Sequence, residues 1–150
     1  YNVKPSETVK AKEVKVTVTA TTDAGTQSFE PIVYRLKNVP APMASFLGKS
    51  GSFKMGLGQI KSGKFITASL PDFLFDLKFM VTGFTMQVSA GGKVTQYKSR
   101  NNQLTAQMKG TIAKMKKGQT ILIKDITYKM AGSNAPSKPM TGSLLAIEVQ

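Results

Sequence analysis

The 150-residue chain contains no cysteine and no histidine. Without thiols it forms no disulfide, offers no thiolate to a metal and has no cysteine nucleophile. Without imidazole it lacks the usual base near neutral pH and the commonest transition-metal ligand. Carboxylates are scarce, 8 against 21 lysines and arginines, which leaves a formal net charge of +13. No apolar stretch approaches the ~20 residues that a membrane-spanning helix needs. Tyr1-Asn2-Val3-Lys4-Pro5 shows no signal-peptide pattern and no initiator methionine, so the chain reads as a piece of a longer one.

The positive excess points to an acidic or anionic partner, or to a complementary protein surface. The plainer reading is a lysine-rich solvated face that maintains solubility. The cations cluster in 93–100 and 109–117, and Lys93, Lys98, Arg100, Lys109, Lys116 and Lys117 form the candidate partner-binding surface. Nucleic acid is the rival partner on charge alone. Arginine, the better reader of base edges, occurs only at Arg35 and Arg100. Only Tyr97 and Tyr128 are candidates for base stacking.

Hydrophobic spacing predicts a mainly β chain. Val14, Val16, Val18 and Ala20 alternate with polar residues, as in a half-buried strand. Turn residues at Thr22–Gly25 precede a returning strand over Ser28–Lys37, with Pro31 favouring an edge or a break. Such a hairpin needs more sheet to be stable. The proline-rich Asn38–Pro42 marks a boundary, giving units 1–38 and 39–150.

In the second unit short strands are expected around Phe53–Leu57 and Lys64–Leu70. A hairpin follows, with Phe84–Ser89 and Val94–Ser99 joined at Gly91-Gly92. Closing strands lie at Thr120–Met130 and Ser143–Val149. In the first closing strand Leu122, Ile126, Tyr128 and Met130 share a parity that Lys124 interrupts. Phe73, Phe75, Leu77, Phe79 and Val81 share one face of an extended strand. At Gly83 the phase slips, and Phe84, Met86 and Val88 continue on the other parity, which calls for a bulge or bend. One helix is predicted, Ala106–Lys117. Thr105 is its N-cap, Met108, Ile112 and Met115 its packed stripe, Lys114, Lys116 and Lys117 its last turn, and Gly118 follows the end. Residues 131–141 read as a polar, mobile loop.

Motifs of reactive chemistry fail on inspection. Gly58-Gln59-Ile60-Lys61-Ser62-Gly63-Lys64 matches a phosphate-binding loop as far as its lysine, but Phe65 stands where a Ser or Thr must hold magnesium. Asp72 and Asp76 share a parity, with Lys78 beside them, which reads as an exposed, charge-paired face. No Ser-x-x-Lys occurs, and no spacing of oxygen ligands resembles a calcium loop. No catalytic, cofactor-binding or metal residue is assigned.

Several segments together resemble the C-terminal periplasmic region of the GldM/PorM family, the motor-shaft proteins of gliding motility and type IX secretion. They are LPDFLFDLKFMVTGFTMQVSAGG at Leu70–Gly92, Leu104-Thr105-Ala106-Gln107, Lys116-Lys117-Gly118 and Ile123-Lys124-Asp125-Ile126. Tyr34–Pro42 is similar to that family's linker between its last two domains. The similarity runs from about Val14 onward. It implies that the opening hairpin closes a preceding immunoglobulin-like domain and that a β-rich, sandwich-like domain with one packed helix follows. It also implies a homodimer in the periplasm, anchored in the inner membrane through an N-terminal helix that lies outside this sequence. A proton-driven motor partner would sit at the membrane and an outer-membrane-associated ring at the distal end. The function expected is therefore structural and force-transmitting. The rivals are an extracytoplasmic module for an anionic polymer and a nucleic-acid-binding protein.

Overall fold

A computed structural model of the chain describes residues 12–36, 39–71, 73, 76–90 and 92–150. The chain divides into two compact units, Tyr1–Val39 and Pro40–Gln150, and the fold is mainly β. Expectations for Asp72, Phe75, Gly91 and the Lys37-Asn38 end of the returning strand lie outside the described residues.

The first unit holds β1 (Glu13–Val16), β2 (Thr19–Thr22), β3 (Gly25–Ser28) and β4 (Ile32–Arg35). β1 pairs with β4 and β2 with β3, both antiparallel. The predicted hairpin is therefore present, but each arm is broken in two. Pro31, which has no N–H to give a ladder, lies in the gap of the returning arm. Val18 is in the opposite gap, and its carbonyl accepts from Phe29 N–H at 3.0 Å. Val18, Phe29, Ile32, Val33 and Tyr34 are all exposed.

The second unit runs β5 (Met43–Phe46), β6 (Ser52–Met55), α1 (Leu57–Ser62), β7 (Ile66–Ser69), β8 (Phe79–Ala90), β9 (Lys93–Ser99), α2 (Ala106–Ala113), β10 (Thr120–Met130), β11 (Lys138–Pro139) and β12 (Leu145–Val149). One sheet dominates, in the order β6-β12-β10-β8-β9, with β11 added beside β10. Its strands are antiparallel except for the parallel pair β12 and β6. β5 and β7 form a separate antiparallel ribbon. One sheet face presents Phe84, Met86, Val88, Ile121, Ile123, Leu145, Ile147 and Val149 to a core closed by Phe46 and Ile66 of the ribbon and by Ile60, Met108 and Ile112 of the helices.

The phase slip at Gly83 has a counterpart on the neighbouring strand. Lys124 pairs with Thr85, Thr127 with Gly83 and Tyr128 with Val81. One extra residue on β10 is thus followed by one extra residue on β8, and the original register is restored. Both strands change parity together, so Phe84 and Val81 stay on the core side, as do Ile123 and Ile126. Thr82 donates to the Thr127 hydroxyl at 3.0 Å across this joint. A Cβ at Gly83 would stand 3.0 Å from the Ser99 carbonyl oxygen and 3.3 Å from Thr127 Oγ1. Asp125 takes the left-handed conformation, φ 52°, that the extra residue requires.

Several expectations are corrected. β8 starts at Phe79, so Phe73 and Leu77 are not strand residues. In β10 the buried residues before the bulge are Ile121 and Ile123, and Leu122 lies on the opposite face. Ile126 is buried with Ile121 and Ile123 because the register shifts between Lys124 and Thr127, so it does not share a face with Leu122. Residues 131–141 are only partly loop: β11 pairs with Thr127 and Tyr128, and Met140 is buried with its N–H on the Ile126 carbonyl at 2.7 Å.

α2 ends at Ala113, which leaves Lys116 and Lys117 beyond the helix and Lys114 at its C-cap. Its start is as predicted: Thr105 Oγ1 accepts from Met108 N–H at 3.3 Å, and Met108 Sδ accepts from Thr105 N–H. α1 was not expected, since Gly58 weakens helix propensity inside a segment of six residues bounded by Gly56 and Gly63. Complete burial of Ile60 overrides that preference.

Gly83→Ala is expected to cost about 1–3 kcal/mol, because backbone and not a movable side chain blocks the added methyl. Asp125→Val should cost about 1–2 kcal/mol through its left-handed backbone, and Asp125→Gly little or nothing. Urea unfolding of the three variants checks both values. Equal stabilities for Asp125→Val and Asp125→Gly would contradict the bulge geometry.

Candidate functional site

The six cations singled out in the sequence do not share one face. Tyr97 points to the core side, where its hydroxyl accepts from the Thr111 hydroxyl of α2 at 2.8 Å. Strand alternation therefore puts Lys98 on the far side of the sheet, in one cross-strand row with the buried Thr85 and the half-buried Lys124. Lys93 begins β9 at the hairpin end. Arg100 follows that strand in a bend. Lys109 is on α2, and Lys116 and Lys117 are in the turn that leads to β10. Lys109 thus belongs to the helical layer, Lys116 and Lys117 to the connection that joins the end of β12 through Gly118, and Lys98 to the opposite face of the sheet.

Tyr97 and Tyr128 are not free stacking platforms. Tyr97 is half-buried and tied to Thr111, and Tyr128 is half-buried edge-on against Phe79, with ring centroids 5.8 Å apart. The sequence underrated Phe65, an exposed aromatic residue. The signal was present: Phe65 alternates in step with Thr67 and Ser69, and the structure exposes all three while burying Ile66.

The segment resembling a phosphate-binding loop has the wrong order of elements. Such a loop leads from a strand into a helix whose N-terminus faces the phosphates. Here α1 ends at Ser62 before the lysine, and Lys64 leads into the extended β7. The Ser62 hydroxyl donates to the Gln59 carbonyl at 2.7 Å.

Asp76 and Asp125 are both exposed, and Asp76 lies outside any strand. Among the described residues no group of three or more metal-ligating side chains occurs, and no buried side-chain nitrogen or oxygen lacks a hydrogen-bond partner. The buried hydroxyl of Ser99 donates to the Gln103 carbonyl at 2.8 Å and fixes the connection from β9 to α2.

Two depressions flank the end of α1. One, of about 220 Å³, lies between the helices and has Ile60, Leu104 and Ile112 below and Lys61 and Lys109 at its sides. The other, of about 290 Å³, is lined by Leu47, Gly48, Ser62, Lys64, Phe65 and Thr67. Gly63 lies in the wall between them, with its backbone against the buried Phe46 ring. Lys54 and Glu148 form the one ion pair among the described residues, 3.0 Å apart and about half exposed. Residues 40–150 carry only four carboxylate side chains, Asp72, Asp76, Asp125 and Glu148, so most of their cations have no internal counter-charge.

Fold and surface define a basic, mainly β module whose polar side chains serve structure and whose recesses are shallow and lysine-edged. The GldM C-terminal domain family matches residues 40–150, and the chain belongs to that family. GldM proteins are structural components of gliding-motility and type IX secretion machinery, membrane-anchored with a periplasmic C-terminal region. No curated protein matches the chain. No helix among the described residues is long and apolar enough to cross a membrane.

Gly63→Ala is expected to destabilise by about 1–3 kcal/mol, since the new methyl would overlap the Phe46 ring inside the core. Thermal unfolding checks this, and an unchanged midpoint would show that the wall between the depressions is looser than described.

Proposed function

We propose that this chain is a non-enzymatic, force-transmitting part of a periplasmic shaft in a gliding-motility or type IX secretion machine. It works as a homodimer and docks to an outer-membrane-associated ring protein. The inner-membrane motor partner is engaged by parts of the protein that precede this sequence. The observation that carries the docking reading is the uncompensated charge: net +13 overall, and a single internal ion pair among the described residues. Unbalanced charge of this kind steers a complementary acidic surface into register. The family membership supplies the setting.

Residues 1–38 close an immunoglobulin-like domain whose other strands lie elsewhere. The exposure of Ile32, Val33 and Tyr34 supports this, because a broken pair of short strands needs further sheet. Force transmission suits the second unit, whose long central strands β8 and β10 are interlocked at a double bulge.

Joint reversal of Lys109, Lys116 and Lys117 to glutamate is expected to weaken binding of the purified ring protein by about tenfold or more, mainly through slower association. Surface plasmon resonance at low and physiological salt checks it. Unchanged affinity at both would remove the docking reading.

A further inference from the structure

We infer that the ridge at the end of α1, with the Leu47-Gly48 turn beside it, is a binding site for an acidic peptide segment carrying an apolar anchor side chain. The inference rests on the docking reading above and narrows it to a place and a chemistry.

The first observation is backbone geometry. Leu47 and Gly48 both have positive φ, 50° and 78°. They form a two-residue turn closed by Phe46 N–H to the Lys49 carbonyl at 2.9 Å and Lys49 N–H to the Phe46 carbonyl at 3.0 Å. Asn, Asp or Gly suits the first position of such a turn, and leucine is disfavoured there. The leucine gains little burial in return, for it is 47% exposed. A side chain that is costly to its own backbone and open to water marks a position where recognition outweighs stability.

The second observation is what surrounds it. Phe65, 45% exposed, lines the same depression as Leu47. Lys64 lies at its side, and Lys61 and Lys109 flank the adjoining recess. The chain from Lys61 to Lys64 contributes alternately to the two recesses, and Phe65 adds to the second, so one extended segment laid along it would meet both. Apolar contacts at the centre with cations around them fit an aliphatic or aromatic side chain set among carboxylates. No carboxylate lines either recess.

The probe is a fluorescein-labelled peptide with one leucine set among glutamates, compared with the same peptide carrying glycine in place of that leucine. Fluorescence anisotropy on the whole chain should show saturable binding that favours the leucine peptide. Leu47→Asn should weaken that binding by about fivefold or more. Its melting temperature should equal or exceed that of the unsubstituted chain, since asparagine accepts the left-handed turn. Lys61→Glu, at an exposed position, should weaken binding to a similar degree. Equal binding of the two peptides would overturn the inference, as would unchanged binding by Leu47→Asn. A lower melting temperature for Leu47→Asn would also overturn it, by showing that the leucine serves packing. A single-stranded oligonucleotide that competes on this ridge, and loses affinity in the same variants, would assign the site to nucleic acid instead. Loss of ring-protein binding on reversal of Lys109, Lys116 and Lys117, with Leu47→Asn and Lys61→Glu both inert, would sink the site and leave the docking reading standing.

Discussion

The fit between β8 and β10 governs the second unit. A residue-by-residue slip in one strand turns every later side chain to the wrong face unless its neighbour slips too. Here Gly83 and Asp125 provide matched irregularities, one on each strand, and the register recovers between Thr127 and Tyr128. Phe84, Met86 and Val88 can then share a core with Val81, and Ile121 and Ile123 with Ile126. The helices, the ribbon of β5 and β7 and the connection fixed by Ser99 all pack on the face that this arrangement keeps apolar. Gly83 suits the joint because a Cβ there would press on the Ser99 carbonyl oxygen at 3.0 Å.

The polar chemistry of the unit is spent on holding shape. Thr105 caps a helix, Ser99 secures a loop, Thr111 anchors Tyr97 and Ser62 closes a helical end. What remains for interaction is charge and a few misplaced apolar groups. Lys54 alone among the described cations has a carboxylate partner. A surface so unbalanced favours association with acidic surfaces and depends on salt. Leu47 and Phe65 add an apolar element that charge alone would not supply.

Much of the fold was legible in the sequence, and much less of the site. β10 runs over the predicted Thr120–Met130, the capped start of α2 is at Thr105, and the slip at Gly83 is a real bulge. The helix of Leu57–Ser62 was hidden because it is short and Gly58 lowers its intrinsic tendency, while a distant core rewards burial of Ile60. The lysine cluster was read as one surface because its members are close in sequence. Alternation along β9, and the placing of α2 on one side of the sheet, separate Lys98 from Lys109. The ridge was half visible in the parity of Phe65, whereas nothing local announced the left-handed backbone at Leu47.

The sequence by itself determined the chemistry denied to this protein, the extended character of most segments, the place where β8 must bend and the likeness to the GldM family. These follow from residue identity and from spacing over a few neighbours, where the geometry of a strand or helix is set. Tertiary structure decided which parity of β10 faces inward, that β6 joins β12 in parallel, and which cations stand on the same side. Those outcomes depend on pairing between residues far apart in the chain. The energy of such contacts comes from a shared core, and no local pattern encodes it.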